Sequence, residues 1–142
     1  MRGISVGSSA AVGVTHVIRS PREIRKFNKG EILVTEMTDP DWEPIMKMAS
    51  AIVTDRGGRT SHAAIVSREL GLPAIVGAGN ATKVLKTGTL VTVDATGSAG
   101  IITVGKAKIS VREHSIGALP ETKTKIMVNI ASPDIAFELS FM

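Results

Sequence analysis

The chain has 142 residues, of which 43% are apolar, 21% charged and 3% aromatic, enough for one domain with a core of Val, Ile, Leu, Ala and Met. It carries no cysteine, which excludes disulfide staples and thiolate metal sites and suits a reducing compartment. The formal charge is +4, but with one Trp, three Phe and no Tyr there is little surface on which bases could stack, so nucleic acid is set aside as a partner.

Residues 3–13 are rich in Gly, Ser and Ala and read as a loop or bulged strand; residues 11–18 are β-like. Ser20-Pro21-Arg22-Glu23 is a helix-start signature, with Ser20 as cap, Pro21 at the first helical position and Glu23 completing a capping box. This short basic helix should end near residues 28–30. A strand follows at 32–34. Thr38-Asp39-Pro40-Asp41 opens a second helix to about residue 48, with Pro44 limiting how early it becomes regular. Residues 51–53 read as a buried strand, 55–59 as a glycine-containing loop, and 61–70 as a helix stopped by Gly71 and Pro73. Further strands are expected at 74–76, 90–93 and 100–104. Asn80 is placed to cap a short helix, and Thr96-Gly97 to turn a hairpin. Alternating strands and helices closed by a hairpin argue an α/β layered domain of about one hundred residues.

The predicted division is a domain at 1–105, a polar linker at 106–125, and a strand and helix start at 126–142 that open a further domain. No apolar run is long enough to span a bilayer, and no charged-then-apolar leader opens the chain, so the expected location is the cytoplasm.

The stretch that carries chemistry is Asp55-Arg56-Gly57-Gly58-Arg59-Thr60-Ser61-His62-Ala63-Ala64. A buried strand leads in and a helix leads out. Gly57 and Gly58 permit unusual backbone angles and close approach of another group. Thr60 or Ser61 would cap the helix, placing His62 in its first turn, at the positive end of the helix dipole. That field favours the uncharged, nucleophilic imidazole, and it welcomes the anion formed if the ring accepts a phosphoryl group. Arg59 and Thr60 are placed to donate to phosphoryl oxygens. Ala63, Val66 and Leu70, flanked by Ala64, form the apolar stripe that should face the sheet. A glycine pair alone is a weak phosphate signal. The residues by themselves therefore leave two readings open: a nucleophile at an anion-friendly helix start, and a surface histidine after a glycine turn.

The run Gly57-Gly58-Arg59-Thr60-Ser61-His62-Ala63-Ala64-Ile65, continued by Arg68-Glu69-Leu70-Gly71-Leu72-Pro73-Ala74-Ile75-Val76-Gly77 and Thr92-Val93-Asp94-Ala95-Thr96-Gly97, resembles the phosphohistidine domain of the PEP-utilising enzymes. Ser67 departs from that pattern, where alanine is usual. Thr38-Asp39-Pro40-Asp41-Trp42-Glu43-Pro44 and Arg59 look most like the phosphoenolpyruvate synthase branch, whereas Ser61 is shared with the dikinase and enzyme I branches. The resemblance implies a swivelling β/β/α phosphohistidine domain. Its His62 would be phosphorylated on Nε2 and stabilised by Gly58, Arg59, Thr60 and Ser61. It implies an enzyme that converts pyruvate, ATP and water to phosphoenolpyruvate, AMP and phosphate. The expected partners are an ATP-grasp nucleotide-binding domain and a pyruvate-binding TIM barrel in the same polypeptide, with residues 126–142 as the barrel's start. Mg²⁺ is expected at those other domains, with no metal held by this one. The fragment alone should not turn over.

Other residues carry plainer expectations. His16 and His114 read as structural or solvent-facing, Asp94 as a turn-former, Trp42 as a packing anchor with docking as the alternative, and Met46 and Met48 as core. The basic early helix reads as a solvated face or a partner contact. The non-enzymatic rival is a basic module that holds a free anion at the helix start.

Overall fold

The computed structural model describes residues 1–110, almost all within a compact unit spanning Met1–Lys108. The expectations for His114, for most of the linker and for residues 126–142 lie outside the described residues.

Seven strands form a closed barrel in the order β1-β5-β4-β3-β2-β6-β7. They are β1 (Arg2–Val6), β2 (Ala10–Val17), β3 (Ile32–Thr35), β4 (Ala51–Thr54), β5 (Ala74–Val76), β6 (Leu90–Asp94) and β7 (Ala99–Val104). The run β2, β3, β4, β5 is parallel, as crossover connections require. Strands β1, β6 and β7 join it antiparallel and close the ring. Every residue of β3, β4 and β5 is buried, because both faces of these strands are covered. Ile32, Val34, Val53 and Ile75 fill the barrel interior with Val91, Val93 and Ile102. Leu33, Ile52, Ala74 and Val76 face outward, into a cluster with Phe27, Trp42, Ile45, Met46, Ala63 and Ala64.

Two differences from the sequence reading have physical causes. The sheet closes into a barrel, where a layered arrangement was expected, and part of the closure runs through β1, inside the stretch read as loop or bulged strand. Gly3 pairs with Gly100 across β1 and β7, and a Cβ at either would lie 2.6 Å from the Ile75 side chain. The glycines therefore make room for Ile75 inside a narrow barrel, and the loss of side chains there hides the strand pattern.

The early connections are tighter than expected. Pro21–Lys26 is a 3₁₀ helix with Ser20 as cap, and the Glu23 carboxylate accepts from the Arg19 N–H at 3.1 Å, one residue before the cap. Pro40–Trp42 is a 3₁₀ turn capped by Asp39, leading into a single turn of helix α1 (Glu43–Met46). The prolines at positions 40 and 44 shorten the regular helix that had been expected to reach residue 48. Trp42 is 3% exposed, so it is an anchor and has no surface with which to dock. Helix α2 (His62–Glu69) lies on the outer face with Ala63 and Ala64 buried, and Val66 and Leu70 pack beside them. Helix α3 (Ala81–Val84) contributes Ala81, with Ala78 and Leu85, to the interior cluster. Asn80 occupies its cap position without a side-chain bond; instead the Asp55 carboxylate accepts from the Thr82 N–H at 3.0 Å and from the Thr82 hydroxyl. Asp94 accepts from the Thr96 N–H and hydroxyl, the turn-forming role expected of it. These hydrogen bonds hold its carboxyl below the usual range against the opposing effect of burial.

Candidate functional site

The site is built on the connection from β4 to α2. Its root is held firmly. The Asp55 N–H donates to the Thr35 carbonyl at 3.0 Å and the Arg56 N–H to the Glu36 carbonyl at 2.9 Å. The Thr54 hydroxyl closes onto the Arg56 carbonyl at 2.7 Å, and the Arg56 guanidinium meets Glu36 at 3.1 Å on the exposed surface. Gly57 has φ +119, and a Cβ there would sit 2.9 Å from the Ser61 hydroxyl oxygen, so glycine is needed both for conformation and for space. Gly58 has an ordinary φ, and a Cβ added to it would meet nothing within 4 Å. Its smallness serves no contact inside the domain and leaves the space in front of the loop open.

His62 is the first residue of α2, with Ser61 at the cap position, as the spacing predicted. The ring is partly exposed. Ser61 takes the expected cap position but makes no capping bond. Its N–H and its hydroxyl both donate to the Gly58 carbonyl, at 3.0 Å and 2.8 Å, so it shapes the turn, and no side chain caps the first turn of α2. Arg59 and Thr60 are exposed. The Arg59 carbonyl accepts from the Arg68 guanidinium at 2.8 Å, which ties the loop to the helix it precedes. The structure thus brings Gly58, Arg59, Thr60, Ser61 and His62 together on one loop and helix start.

The residue that sequence reasoning missed is Thr38. Its hydroxyl lies 3.0 Å from His62 Nδ1, across 24 residues of chain. Thr38 is 6% exposed, fixed between the end of β3 and the Asp39-capped turn that Trp42 anchors. Nothing local to Thr38 signals this, since its only distinction in the sequence is to precede a helix start. The contact occupies one ring nitrogen and leaves Nε2 as the atom available for chemistry. Nε2 presents a lone pair in the tautomer whose Nδ1–H donates to the Thr38 oxygen, an arrangement that the contact accommodates. Glu43 belongs to the same neighbourhood. Its hydrogen bond and ion pair with Lys47, at 2.7 Å, hold its carboxyl below the usual range, with burial opposing and the His62 ring adding a smaller downward pull.

Among the described residues no group of three or more His, Cys, Asp or Glu could hold a metal ion, and no helix is long and apolar enough to cross a membrane. His16 is partnered elsewhere, its Nδ1 2.8 Å from the Glu31 carboxylate.

Comparison with known proteins bears on the same stretch. Residues 27–98 match the model of the family described as PEP-utilising enzyme, mobile domain. Phosphoenolpyruvate synthase of Aquifex aeolicus is 54% identical over 138 residues, covering 96% of this chain and 16% of that protein. The protein of the same name from Pseudomonas aeruginosa is 50% identical, covering 99% of this chain and 18% of that protein, and that from Escherichia coli is 48% identical, covering 97% and 18%. The chain therefore spans less than a fifth of the length of these curated relatives. In fold, it is similar to the crystal structure of Thermococcus kodakaraensis aconitase X, with a TM-score of 0.50 and 18% identity over 72% of this chain and 98% of that chain, a likeness of architecture alone.

Proposed function

The chain belongs to the PEP-utilising enzyme mobile-domain family, and from that premise we propose that it is the phosphoryl carrier of a phosphoenolpyruvate synthase. In this reading His62 Nε2 attacks the β-phosphorus of ATP, forming an N–P bond as the P–O bond to AMP breaks, and water then cleaves the terminal P–O bond, releasing phosphate and leaving one phosphoryl group on the ring. The enolate oxygen of pyruvate then attacks the same phosphorus, and the N–P bond breaks to release phosphoenolpyruvate. The net reaction of the whole enzyme is pyruvate, ATP and water to phosphoenolpyruvate, AMP and phosphate.

The observation that carries the reading is the His62–Thr38 contact at the start of α2. It leaves one nitrogen free on a partly exposed ring, where the helix end favours a bound anion. Arg59 and Thr60, exposed beside it, are the proposed donors to the phosphoryl oxygens, with the open space at Gly58 accommodating the group and Ser61 holding the turn. The names of the relatives favour the synthase over the dikinase and enzyme I branches. The remaining length of those relatives is where we place the ATP-grasp domain, the pyruvate barrel and any Mg²⁺. Direct transfer needs in-line contact with phosphorus. One ring cannot lie beside two separate sites at once, so the domain would swivel between them in the cytoplasm, where nucleotide and pyruvate are available.

The test is labelling. With the nucleotide-binding domain of the Aquifex aeolicus relative and β-labelled ATP, this chain should acquire acid-labile label on His62 that His62→Ala abolishes. A free-anion module would instead bind phosphate reversibly and form no adduct.

A further inference from the structure

A loop that carries two glycines has little stiffness of its own, because neither residue brings a side chain to pack. Order at His62 must come from what grips the loop on either side. On one side is β3, through the Thr35 and Glu36 carbonyls. On the other is the segment 77–82, the turn after β5 and the start of α3. The Ala78 N–H donates to the Thr54 carbonyl and the Gly79 N–H to the Asp55 carbonyl, both at 2.9 Å. A Cβ at Gly77 would lie 2.9 Å from the Gly57 carbonyl oxygen, so the two backbones touch. Asp55 adds its side chain to this grip: one carboxylate oxygen accepts from the Thr82 N–H at 3.0 Å and the other from the Thr82 hydroxyl. Its N–H, its carbonyl and both carboxylate oxygens are therefore all engaged, across both supports. Asp55 is 8% exposed, and among the described residues it makes no ion pair. A buried carboxylate is costly unless hydrogen bonds offset the loss of water, so its work here is to accept them.

We propose that Asp55, through Thr82, is a positioning residue for phosphoryl transfer at His62. The inference rests on the carrier reading and adds the group that sets the loop. Asp55 fixes where the chain enters Gly57 and Gly58. The Gly58 carbonyl in turn accepts from the Ser61 N–H and hydroxyl, and Ser61 stands directly before His62 at the head of α2. The Asp55 N–H also bonds β3 at Thr35, the strand whose end leads to Thr38, the partner of His62 Nδ1. One residue thus holds the glycine loop in register with both the helix start and the hydroxyl that orients the ring. In-line attack on phosphorus tolerates little displacement, since a shift of about 1 Å costs about a hundredfold in rate.

Phosphoramidate tests this, because it reaches His62 without any other domain: the histidine N–P bond forms as the donor's N–P bond breaks and ammonia leaves. Rates are compared at a temperature where circular dichroism finds every variant folded. Asp55→Ala should be labelled about tenfold more slowly than the parent. Asp55→Asn keeps an acceptor for the Thr82 N–H and offers a donor to the Thr82 hydroxyl, and should recover to within about threefold. Asp94→Ala is the control. It removes a carboxylate bonded in the same manner to the Thr96 N–H and hydroxyl, and should be labelled within about twofold of the parent. The amide resonances of Gly57 and Gly58 should shift in Asp55→Ala and stay in place in Asp94→Ala. A folded Asp55→Ala labelled at the parental rate overturns the proposal, as does an Asp55→Asn as slow as Asp55→Ala. Equal slowing in Asp94→Ala also overturns it, since lost stability would then explain the fall. If Asp55→Ala does not fold, Thr82→Val decides: it should be slowed about threefold with Thr82→Ser restoring the rate, and a parental rate in Thr82→Val overturns the proposal. All of these failures leave the carrier reading standing. A parent that phosphoramidate does not label on His62 removes that reading, and the positioning role with it.

Discussion

The domain holds two histidines in similar ways and to different ends. His16 and His62 are each bound through Nδ1, the first to the Glu31 carboxylate at 2.8 Å and the second to the Thr38 hydroxyl at 3.0 Å. A carboxylate only accepts, so His16 must donate, and its ring is locked into a small polar cluster beside Phe27. A hydroxyl adds no charge and can donate or accept. Thr38 therefore orients His62 without placing an anion where a phosphoryl group would have to come. The lesson is that the partner, more than the ring, separates a structural histidine from one suited to carry phosphate.

The largest effect expected from this contrast comes from exchanging the two rings' fates. His62→Gln should abolish covalent labelling of this site by phosphoramidate, a small phosphoryl donor, a fall of at least ~1000-fold, because the amide that replaces the ring is no nucleophile. His16→Gln should leave labelling within about twofold and instead lower the thermal midpoint, since one partly buried hydrogen bond contributes about 1 kcal/mol. Labelling that survives His62→Gln, followed by mass spectrometry, would erase the distinction.

A sharper test gives His62 the kind of partner that His16 has. Thr38→Asp puts a carboxylate next to the ring. Like charges about 6 Å apart at an effective dielectric constant of about 20 repel by roughly 3 kcal/mol, so labelling should slow about a hundredfold. Thr38→Val removes the partner without adding charge. It should cost about tenfold, or about 1.4 kcal/mol, through loss of tautomer and orientation, and Thr38→Ser should restore most of it. If Val and Asp slow the reaction equally, charge at this position is irrelevant and the contrast with His16 fails.

How much of this was legible in the sequence depends on where the signal resides. The strands at 51–53 and 74–76 announce themselves because burial on both faces demands continuous apolar residues. Helix α2 is legible from Ala63, Ala64, Val66 and Leu70, and the glycine run identifies the chemistry-bearing loop. The closing strand β1 was obscured because Gly3 yields its side-chain space to Ile75. Thr38 was invisible as a site residue because its partner is distant in sequence and the contact is created by the fold. Arg68 and Asp55 act likewise through long-range bonds to the Arg59 carbonyl and to Thr82. Ser67, an oddity beside the alanine usual in the family, is fully buried, and its hydroxyl has no partner. The fold thus supplies a reason for alanine there and none for serine.

The smallest effect concerns the other side of the comparison. Glu31 is pushed upward by burial, but the Asn28 N–H, the Asn28 side chain and His16 together outweigh that and hold its carboxyl below the ordinary value of 4.5. A carboxyl lowered on folding contributes stability that is fully present above its unfolded value and is lost as pH falls through the folded one. The parent should therefore lose stability below about pH 4.5 more steeply than Glu31→Gln, which cannot titrate. Near neutral pH the variant should be less stable by about 1 kcal/mol, a modest figure because the side chain is partly solvated. Urea midpoints measured from pH 7 down to pH 3 would show two curves converging in acid. Parallel curves would mean that the Glu31 cluster contributes nothing through its charge. In that case the carboxylate at His16 would be no more than a steric match to the hydroxyl at His62.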